Sequence, residues 1–401
     1  MRPITDEEWP AFCRMLVHAF HEDAHQDVTD TERKIFEPER SLAIFDDDQV
    51  VATTGGFSRE LSVPGATLPA AHVSLVAVLG THRRRGLLTR MMHRQLRDLR
   101  EIGREPVAVL WASEEPIYGR YGYGAASQQV NIQAATREVR VSPGDGTGRL
   151  RLTSPGEAVK DLAQVYESVW RHRPGFSSRQ DPWWEYRLTD IERHRNGATE
   201  RRCLVYETAG GVVGYALWRS RAQWDESGPN AEVTVEELVC PDPVGYAELW
   251  RFLFEIDLTR KLSARFLAVD EPLFSLVDAP RRLNRQLSNA LFLRIVDVPA
   301  ALAARRYAAP VDLVLDVTDD LLPENTGRWR LTGDASGARC EATGAPADIS
   351  LGVRELGAVY LGGTSLGGLA AAGLVDGRPE AVVAASTGFG WPVAPLAPEV
   401  F

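Results

Sequence analysis

Residues 76–92 read "VAVLGTHRRRGLLTRMM": an apolar run, four consecutive basic residues, a glycine, then leucines and methionines at helical spacing. Just upstream, "HVSLVAVL" (72–79) is short, apolar and β-branched, which predicts a strand buried on both faces. Downstream, Leu88, Met92, Leu96 and Leu99 share one helical face, Arg90, Arg94, Arg97 and Arg100 fall elsewhere, and Gly103 is placed to end the helix. "VAVLWAS" (107–113) predicts another buried strand, so the stretch is a strand–turn–helix–strand unit of an α/β fold. A helix N-terminus offers unpaired N–H groups and about half a positive charge, so an anion docks there without help from side chains. With Arg83, Arg84 and Arg85 alongside, and Gly86 letting the backbone come close, the natural guest is a multiply charged phosphate. An isolated arginine triplet is otherwise a solvated helix start.

The rest of the chain makes that cluster a local device. Its 401 residues carry 45 Lys and Arg against 55 Asp and Glu, a formal net charge of -10, which disfavours a general nucleic-acid role and favours a cationic partner. Cys13, Cys203, Cys240 and Cys340 are too far apart for a close-spaced zinc framework and read as buried thiols, so a cytoplasmic location is expected. The start, "MRPITDEEWPAF", lacks the basic, apolar and small-residue succession of a signal peptide. Residues 356–375, "LGAVYLGGTSLGGLAAAGLV", are uncharged and long enough to cross a membrane. Six glycines and a Gly-Gly-Thr-Ser turn argue instead for short elements in a folded domain, and no membrane partner is expected.

Three units are expected. The first spans 1–145 and ends in the turn-rich "VSPGDGTG" (141–148). The second, 146–290, repeats the opening plan: "VTVEELVC" (233–240) as strand, "PDPVG" as turn, "YAELWRFLFEIDL" (246–258) as helix, with no arginine in the turn. The third, 291–401, changes texture to "LRIVDVPAALAARRY" followed by alternating segments such as "PVDLVLDV" and "GRWRLTG", a mixture of helix and strand.

A buried strand, an Arg-x-x-Gly turn, a helix and a second strand in this order resemble the coenzyme A site of GNAT acetyltransferases, whose Arg/Gln-x-x-Gly-x-Gly/Ala loop holds a pyrophosphate; Leu88 stands where that pattern has Gly or Ala. Together, "VAVLGTHRRRGLL", "ASEEPIYGRYGYGAA" (112–126), "LRIVDVPAALAARRY" (293–307), "LGAVYLGG" (356–363) and a terminal Phe401 look like the Eis (enhanced intracellular survival) family, which shares the Leu88 departure. The resemblance covers the whole chain. It implies an α/β (α+β) architecture of tandem GNAT-like domains, the second degenerate, followed by a sterol-carrier-protein-like domain. It also implies acetyl-CoA as co-substrate without a metal, an aminoglycoside, polyamine or lysine amine as acceptor, and a homo-oligomer, typically a hexamer. Carried over by position, Val76, Ala77 and Val78 meet the pantetheine arm through their backbone. Arg84, Arg85, Gly86, Leu87, Leu88 and Thr89 hold the pyrophosphate, with Ser113 and Glu114 alongside. Tyr123 falls where the family has its general acid and the Phe401 carboxylate where it has its base, while Glu22 and Glu399 are the expected acceptor contacts.

The chemistry is compatible with those roles. Attack of an amine on a thioester needs a neutral amine, a donor for the developing oxyanion and a proton for the leaving thiolate. A phenol near 10 and a thiol near 8.5 exchange a proton almost without cost. A carboxyl near 3.5 is about six units too weak to deprotonate an ammonium in water, so Phe401 needs burial or a water relay. A binding module that sequesters coenzyme A or cationic drugs on the same scaffold is the non-enzymatic alternative. Two other motifs compete. "HEDAH" (21–25) matches the HExxH of zinc proteases, but Asp23 places a charge where such a helix is buried and no sheet can precede it. "GTSLG" (363–367) matches a hydrolase nucleophile elbow, yet the last histidine is His194, so no Ser-then-His order can be completed.

Overall fold

The computed structural model describes residues 1–142 and 146–401, so the expected boundary at 145/146 borders residues 143–145, which lie outside the described ones. The first part of the chain lays down helices α1 (Trp9–Ala19) and α2 (Gln26–Arg33), strands β1 (Leu42–Asp46), β2 (Gln49–Val63) and β3 (Ala66–Val78), helix α3 (Leu87–Ile102), strand β4 (Val107–Trp111), the single turn α4 (Glu115–Tyr118) and strand β5 (Gly124–Ala125). Helix α3 forms where the apolar spacing predicts it: Met91, Met92, Leu96 and Leu99 are buried, and Gly103 closes it with φ 68°.

The next stretch contributes β6 (Gln128–Ala135), β7 (Arg149–Thr153), α5 (Pro155–Trp170), α6 (Asp181–Leu188), β8 (Arg202–Thr208), β9 (Gly211–Arg221), the small hairpin β10 (Trp224–Asp225) and β11 (Gly228–Pro229), β12 (Ala231–Val239), α7 (Pro243–Phe254), β13 (Thr259–Leu267), α8 (Leu273–Leu276), β14 (Gln286–Asn289) and β15 (Leu291–Ile295). Two sheets result, in the orders β1-β2-β3-β4-β15-β5 and β14-β6-β13-β12-β9-β8-β7. Each has a parallel pair bridged by a helix, β3–α3–β4 and β12–α7–β13, which is the repeat visible in the sequence.

The sheets exchange strands, which differs from the expected division. Residues 128–135, expected with the first unit, pair with β13 and β14 in the second sheet. Residues 291–295, expected to open the third unit, return to the first sheet and pair antiparallel with β4 along its full length, Leu291 to Trp111 through Ile295 to Val107. The physical reason is edge cover: without β15, β4 would leave a buried row of backbone groups unpaired.

The last part comprises α9 (Val298–Ala304), β16 (Val311–Thr318), β17 (Gly327–Gly333), β18 (Ala338–Ala342), β19 (Ile349–Gly352), α10 (Val353–Val359), α11 (Leu366–Ala371), β20 (Val375–Gly377) and α12 (Pro379–Phe389), with sheet order β18-β17-β16-β19-β20. The uncharged 356–375 window is the end of α10, a glycine turn, α11 and the start of β20, and no helix among the described residues is long and apolar enough to cross a membrane. Ser365 caps α11, its hydroxyl accepting the Gly368 N–H at 3.0 Å, so "GTSLG" is a helix start.

This part shares a core with the first sheet: Leu61, Val107 and Leu293 cluster with Leu315, Leu356 and Phe389. Helix α10 packs so closely on β5 and β15 that a Cβ on Gly124 would lie 2.1 Å from the Arg354 carbonyl oxygen, and one on Gly357 would lie 2.3 Å from that of Leu293. A buried ion pair locks the contact, Arg294 Nη2 to Asp319 Oδ1 at 2.7 Å with both side chains essentially out of solvent, and Asn325 Nδ2 donates to the same carboxylate at 2.9 Å. Asp319→Ala leaves the Arg294 guanidinium buried without its counter-ion, so it should lower unfolding free energy by about 3–5 kcal/mol. Urea denaturation checks this, and a loss below about 1 kcal/mol would show that the pair does not fasten the last part to the first sheet.

Candidate functional site

Strands β3 and β4 pair in parallel only over Ala70–His72 against Val107–Val109, then diverge. On its other side β3 stays paired to β2 as far as Val78, with a register shift between Thr53 and Gly55 and Leu75 at φ 56°. The Thr53 hydroxyl donates to the Leu75 carbonyl at 2.9 Å, which pins this bulge. From Ser74 onward β3 therefore presents one free backbone edge to the widening gap.

At the mouth of that gap α3 begins with Gly86 at φ 74°, ψ 8°, and no side chain caps it. A Cβ on Gly86 would meet no atom within 4 Å, so the approach to the first N–H groups is open. Arg83, Arg84 and Arg85 are exposed, and among the described residues none of them has an ion-pair partner. The second sheet's equivalent is closed: Asp242 caps α7, its carboxylate accepting the Gly245 N–H at 2.6 Å. A negative side chain already occupies the place an anion would take.

A cavity of about 780 Å³ fills the gap. It is lined by Val76, Ala77, Val78, Arg84, Gly86, Leu87, Leu88, Thr89, Ser113 and Glu114, every expected donor-site residue except Arg85. Sequence reasoning missed Phe20 and His21 at the end of α1, and Tyr118 and Tyr121 beyond β4. Tyr121 shares a hydrogen bond with the Thr89 hydroxyl at 3.2 Å. Tyr123 stands behind the wall. Its ring meets Tyr118 edge-on at 6.1 Å, its hydroxyl is fully buried with no hydrogen-bond partner, and burial pushes its phenol well above the usual range against the pull of Arg294.

The C-terminus enters between the diverging strands from the far side. The Phe401 backbone oxygen accepts the Ser74 hydroxyl at 2.7 Å, and its ring lies edge-on to His72 at 4.7 Å. Burial and the nearby Arg59 push His72 down to about 3, so the imidazole is neutral. With its Nδ1 3.1 Å from the Ala70 carbonyl, Nδ1 carries the proton and Nε2 accepts the Ser177 hydroxyl at 2.7 Å. Glu399, expected to meet the acceptor, is held otherwise. Arg59 Nη2 at 2.7 Å and Arg179 Nε at 3.0 Å grip its two oxygens, and Arg179 also makes paired bonds to Glu237 at 3.0 and 2.7 Å. Burial alone would raise the Glu399 carboxyl, but Arg179 and Arg59 hold it down to about 2. It anchors the tail and has no charge to spare for a ligand.

Glu22 is exposed in the break between α1 and α2, with His21 at φ 63° and His25 at the N-cap of α2, so the two imidazoles of "HEDAH" do not share a helical face. Among the described residues no group of three or more His, Cys, Asp or Glu is placed to hold a metal ion. An acid that faces a cavity without an ion-pair partner among the described residues is Glu32, on α2. It lines a second cavity of about 450 Å³ with Tyr186, Phe266 and Val400 and, among the described residues, has no hydrogen bond or ion pair. Burial, with Glu22 nearby, pushes its carboxyl up to about 7. Its position, four after Val28 and three before the buried Ile35, was the available sequence signal.

The tail lies between the two cavities. Val400 lines the second, while Phe401 is bonded to Ser74, two residues before Val76 of the first. Phe266 of the second cavity meets Trp111 edge-on at 5.6 Å, two residues before Ser113 of the first.

Models of an acetyltransferase (GNAT) domain match residues 1–126 and 175–295, and that of a sterol carrier protein domain matches 298–398. An uncharacterized N-acetyltransferase of Streptomyces avermitilis is 43% identical over 406 residues, spanning 100% of this chain and 99% of its own. N-acetyltransferase Eis of Mycobacterium tuberculosis is 32% identical over 373 residues, 89% of this chain and 88% of its own. Among solved structures, Eis1 from Mycobacterium abscessus superposes with a TM-score of 0.85 at 30% identity, covering 100% of this chain and 99% of that one.

The open amides and unpaired guanidiniums of the 83–89 loop should bind a diphosphate electrostatically. The double change Arg84→Ala, Arg85→Ala is expected to raise the dissociation constant of a nucleoside diphosphate by about tenfold or more and to flatten its dependence on salt. Titration calorimetry at two ionic strengths reads both; unchanged affinity and salt slope would contradict the assignment.

Proposed function

The chain belongs to the Eis family of GNAT N-acetyltransferases, and on that premise we propose that it transfers the acetyl group of acetyl-CoA directly to a primary amine between its two cavities, beside the tail. The observation that carries this reading is the divergence of β3 and β4, with an uncapped helix start on one side and the chain's own C-terminal carboxylate on the other. The donor's diphosphate lies on the amides of Gly86 to Thr89 with Arg84 and Arg85 beside it, and Ser113 and Glu114 flank it. The pantetheine arm continues the sheet along the free edge of Val76, Ala77 and Val78. The acceptor, an aminoglycoside amine or a lysine side chain, enters from the Glu32 side, where Glu22 is at the rim.

Each residue's part follows from ordinary acid–base chemistry. The neutral amine attacks the thioester carbonyl, its nitrogen forms the new amide bond, and the carbon–sulfur bond breaks. Tyr123 supplies the proton that the departing thiolate needs. Its buried hydroxyl, behind Tyr118, is a donor without an acceptor, so the sulfur has to reach past Tyr118 to it. The raised phenol makes the transfer uphill unless the arriving charge and polar groups lower it. Phe401, held by Ser74, receives the amine's proton through water. We place the reaction in the cytoplasm, in keeping with four cysteines that are all free thiols.

A thiol reagent added to protein, acetyl-CoA and a panel of primary amines tests the reading, which fails if no amine releases thiol above background. Tyr123→Phe is expected to lower kcat by about a hundredfold or more with the KM for acetyl-CoA little changed. Tyr118→Phe, on the cavity wall, should cost much less; the reverse order would move the acid to Tyr118. Because burial raises the Tyr123 phenol, the proton stays on as pH rises, so kcat should not fall between about pH 8 and pH 10. A descending limb in that window that disappears in Tyr123→Phe would contradict the raised phenol.

A further inference from the structure

Four arginines, Arg187, Arg201, Arg219 and Arg265, line the second cavity together with the acids Glu32, Glu236 and Glu399. Glu236 is one carboxylate between two of them, Arg201 Nε and Arg219 Nε, each at 2.5 Å. Asp190 is likewise shared, by Arg195 at 3.0 Å and Arg219 at 2.9 Å. Arg187 reaches Glu237 only at 3.5 Å, and that carboxylate already makes its paired bonds to Arg179. Glu399, on the same wall, is taken by Arg59 and Arg179. Arg265 is exposed, lies 5.2 Å from the centre of the Phe266 ring, and has no ion-pair partner among the described residues. Around this wall Arg59, Arg179, Arg187, Arg195, Arg201 and Arg219 thus share four acids, Asp190, Glu236, Glu237 and Glu399, and Arg265 adds a charge with no ion-pair partner among the described residues.

The other pole is Glu32, the lining acid left without a partner. Among the described residues its carboxylate has no ion-pair partner, and the charge that acts on it is the like charge of Glu22. It adjoins Tyr186, which packs, as Phe401 and Leu75 do, against the cluster of Ile35, Phe57 and Trp183, whereas Arg201, Arg219 and Arg265 belong to the second sheet and its flanks. A polycation would meet a surplus of like charge on most of this wall, and bringing like charges together in a partly buried space is costly.

Resting on the transferase reading and narrowing its acceptor, we propose that this cavity takes an amine that also carries a carboxylate, its ammonium against Glu32 and its carboxylate against the guanidinium surplus led by Arg265. The group-transfer step is unchanged once the ammonium has given one proton to solvent: nitrogen–carbon bond made, carbon–sulfur bond broken, one further proton lost by the amine and one gained by the thiolate. An ammonium at Glu32 also keeps that acid ionised at neutral pH, so acceptor and pocket stabilise each other's charge.

Nα-acetyl-L-lysine and Nα-acetyl-L-lysine amide present the same reactive amine and differ only in the carboxylate, which makes them the discriminating pair, with kanamycin as the polycation. The acid is expected to show a kcat/KM about tenfold above the amide, and to exceed kanamycin. Arg265→Ala should bring acid and amide to within about twofold of each other, while Glu32→Gln should raise KM for both alike; the KM for acetyl-CoA is the internal control for folding. If amines are acetylated but the carboxylate gives no advantage, or kanamycin is the best of the three, the two-pole assignment is overturned and the transferase reading stands. If no amine is acetylated at all, the transferase reading falls first and takes this inference with it.

Discussion

The parallel pairing of β3 and β4 ends at His72 and Val109, and what is distinctive about the molecule follows from that early end. Strands that stayed together would bury the backbone of Ser74 to Val78 in a ladder and close the gap into which α3 points. By diverging they leave one edge of β3 without a strand partner, an edge along which an extended ligand can bond. Three features of the chain keep the gap open. The bulge at Leu75 is pinned by Thr53, β15 returns from far along the chain to satisfy the outer edge of β4, and Gly86 starts α3 with its amides free.

The gap also needs a floor, and the chain uses its own end for it. A terminal residue ordinarily frays, but here the carboxylate of Glu399 sits between Arg59 of β2 and Arg179, which in turn holds Glu237 of β12. Arg59 also stacks over the Trp183 ring at 4.0 Å. Buried ion pairs of this kind add little net stability compared with well-packed apolar groups; what they confer is position, because a displaced partner leaves a buried charge uncompensated. The tail is thereby tied to both sheets at once, and Phe401 is brought to Ser74. The structural role of Glu399 and the free state of Glu32 are two sides of one arrangement: the acid on the tail is neutralised, and the acid on α2 is the one left for a ligand.

What could be read from the sequence was local and periodic. The β3–turn–α3–β4 unit, the second copy around α7, and the mixed third part all announce themselves through apolar spacing and turn residues, and the loop from Val76 to Thr89 has the composition its position demands. The difference between the two copies was visible as the missing arginines, although the decisive residue, the capping Asp242 in "PDPVG", makes its point only once its bond to Gly245 is seen. What was hidden depended on distant pairings. Glu399 reaches Arg59 across a separation of 340 residues and Ser74 reaches Phe401 across 327, distances at which periodicity carries no information. The strand exchange was hidden for a related reason, since "LFLRI" has the pattern of a buried strand but nothing in it names the sheet it joins.

The most direct test of this account is a crystal structure of the protein grown with acetyl-CoA. The account predicts the diphosphate on the amides of Gly86 to Thr89, the pantetheine bonded to the β3 edge from Val76 to Val78, and the sulfur beside the Tyr123 hydroxyl with the acetyl group facing Phe401. A coenzyme bound elsewhere, or a gap closed by renewed pairing of β3 with β4, would contradict it.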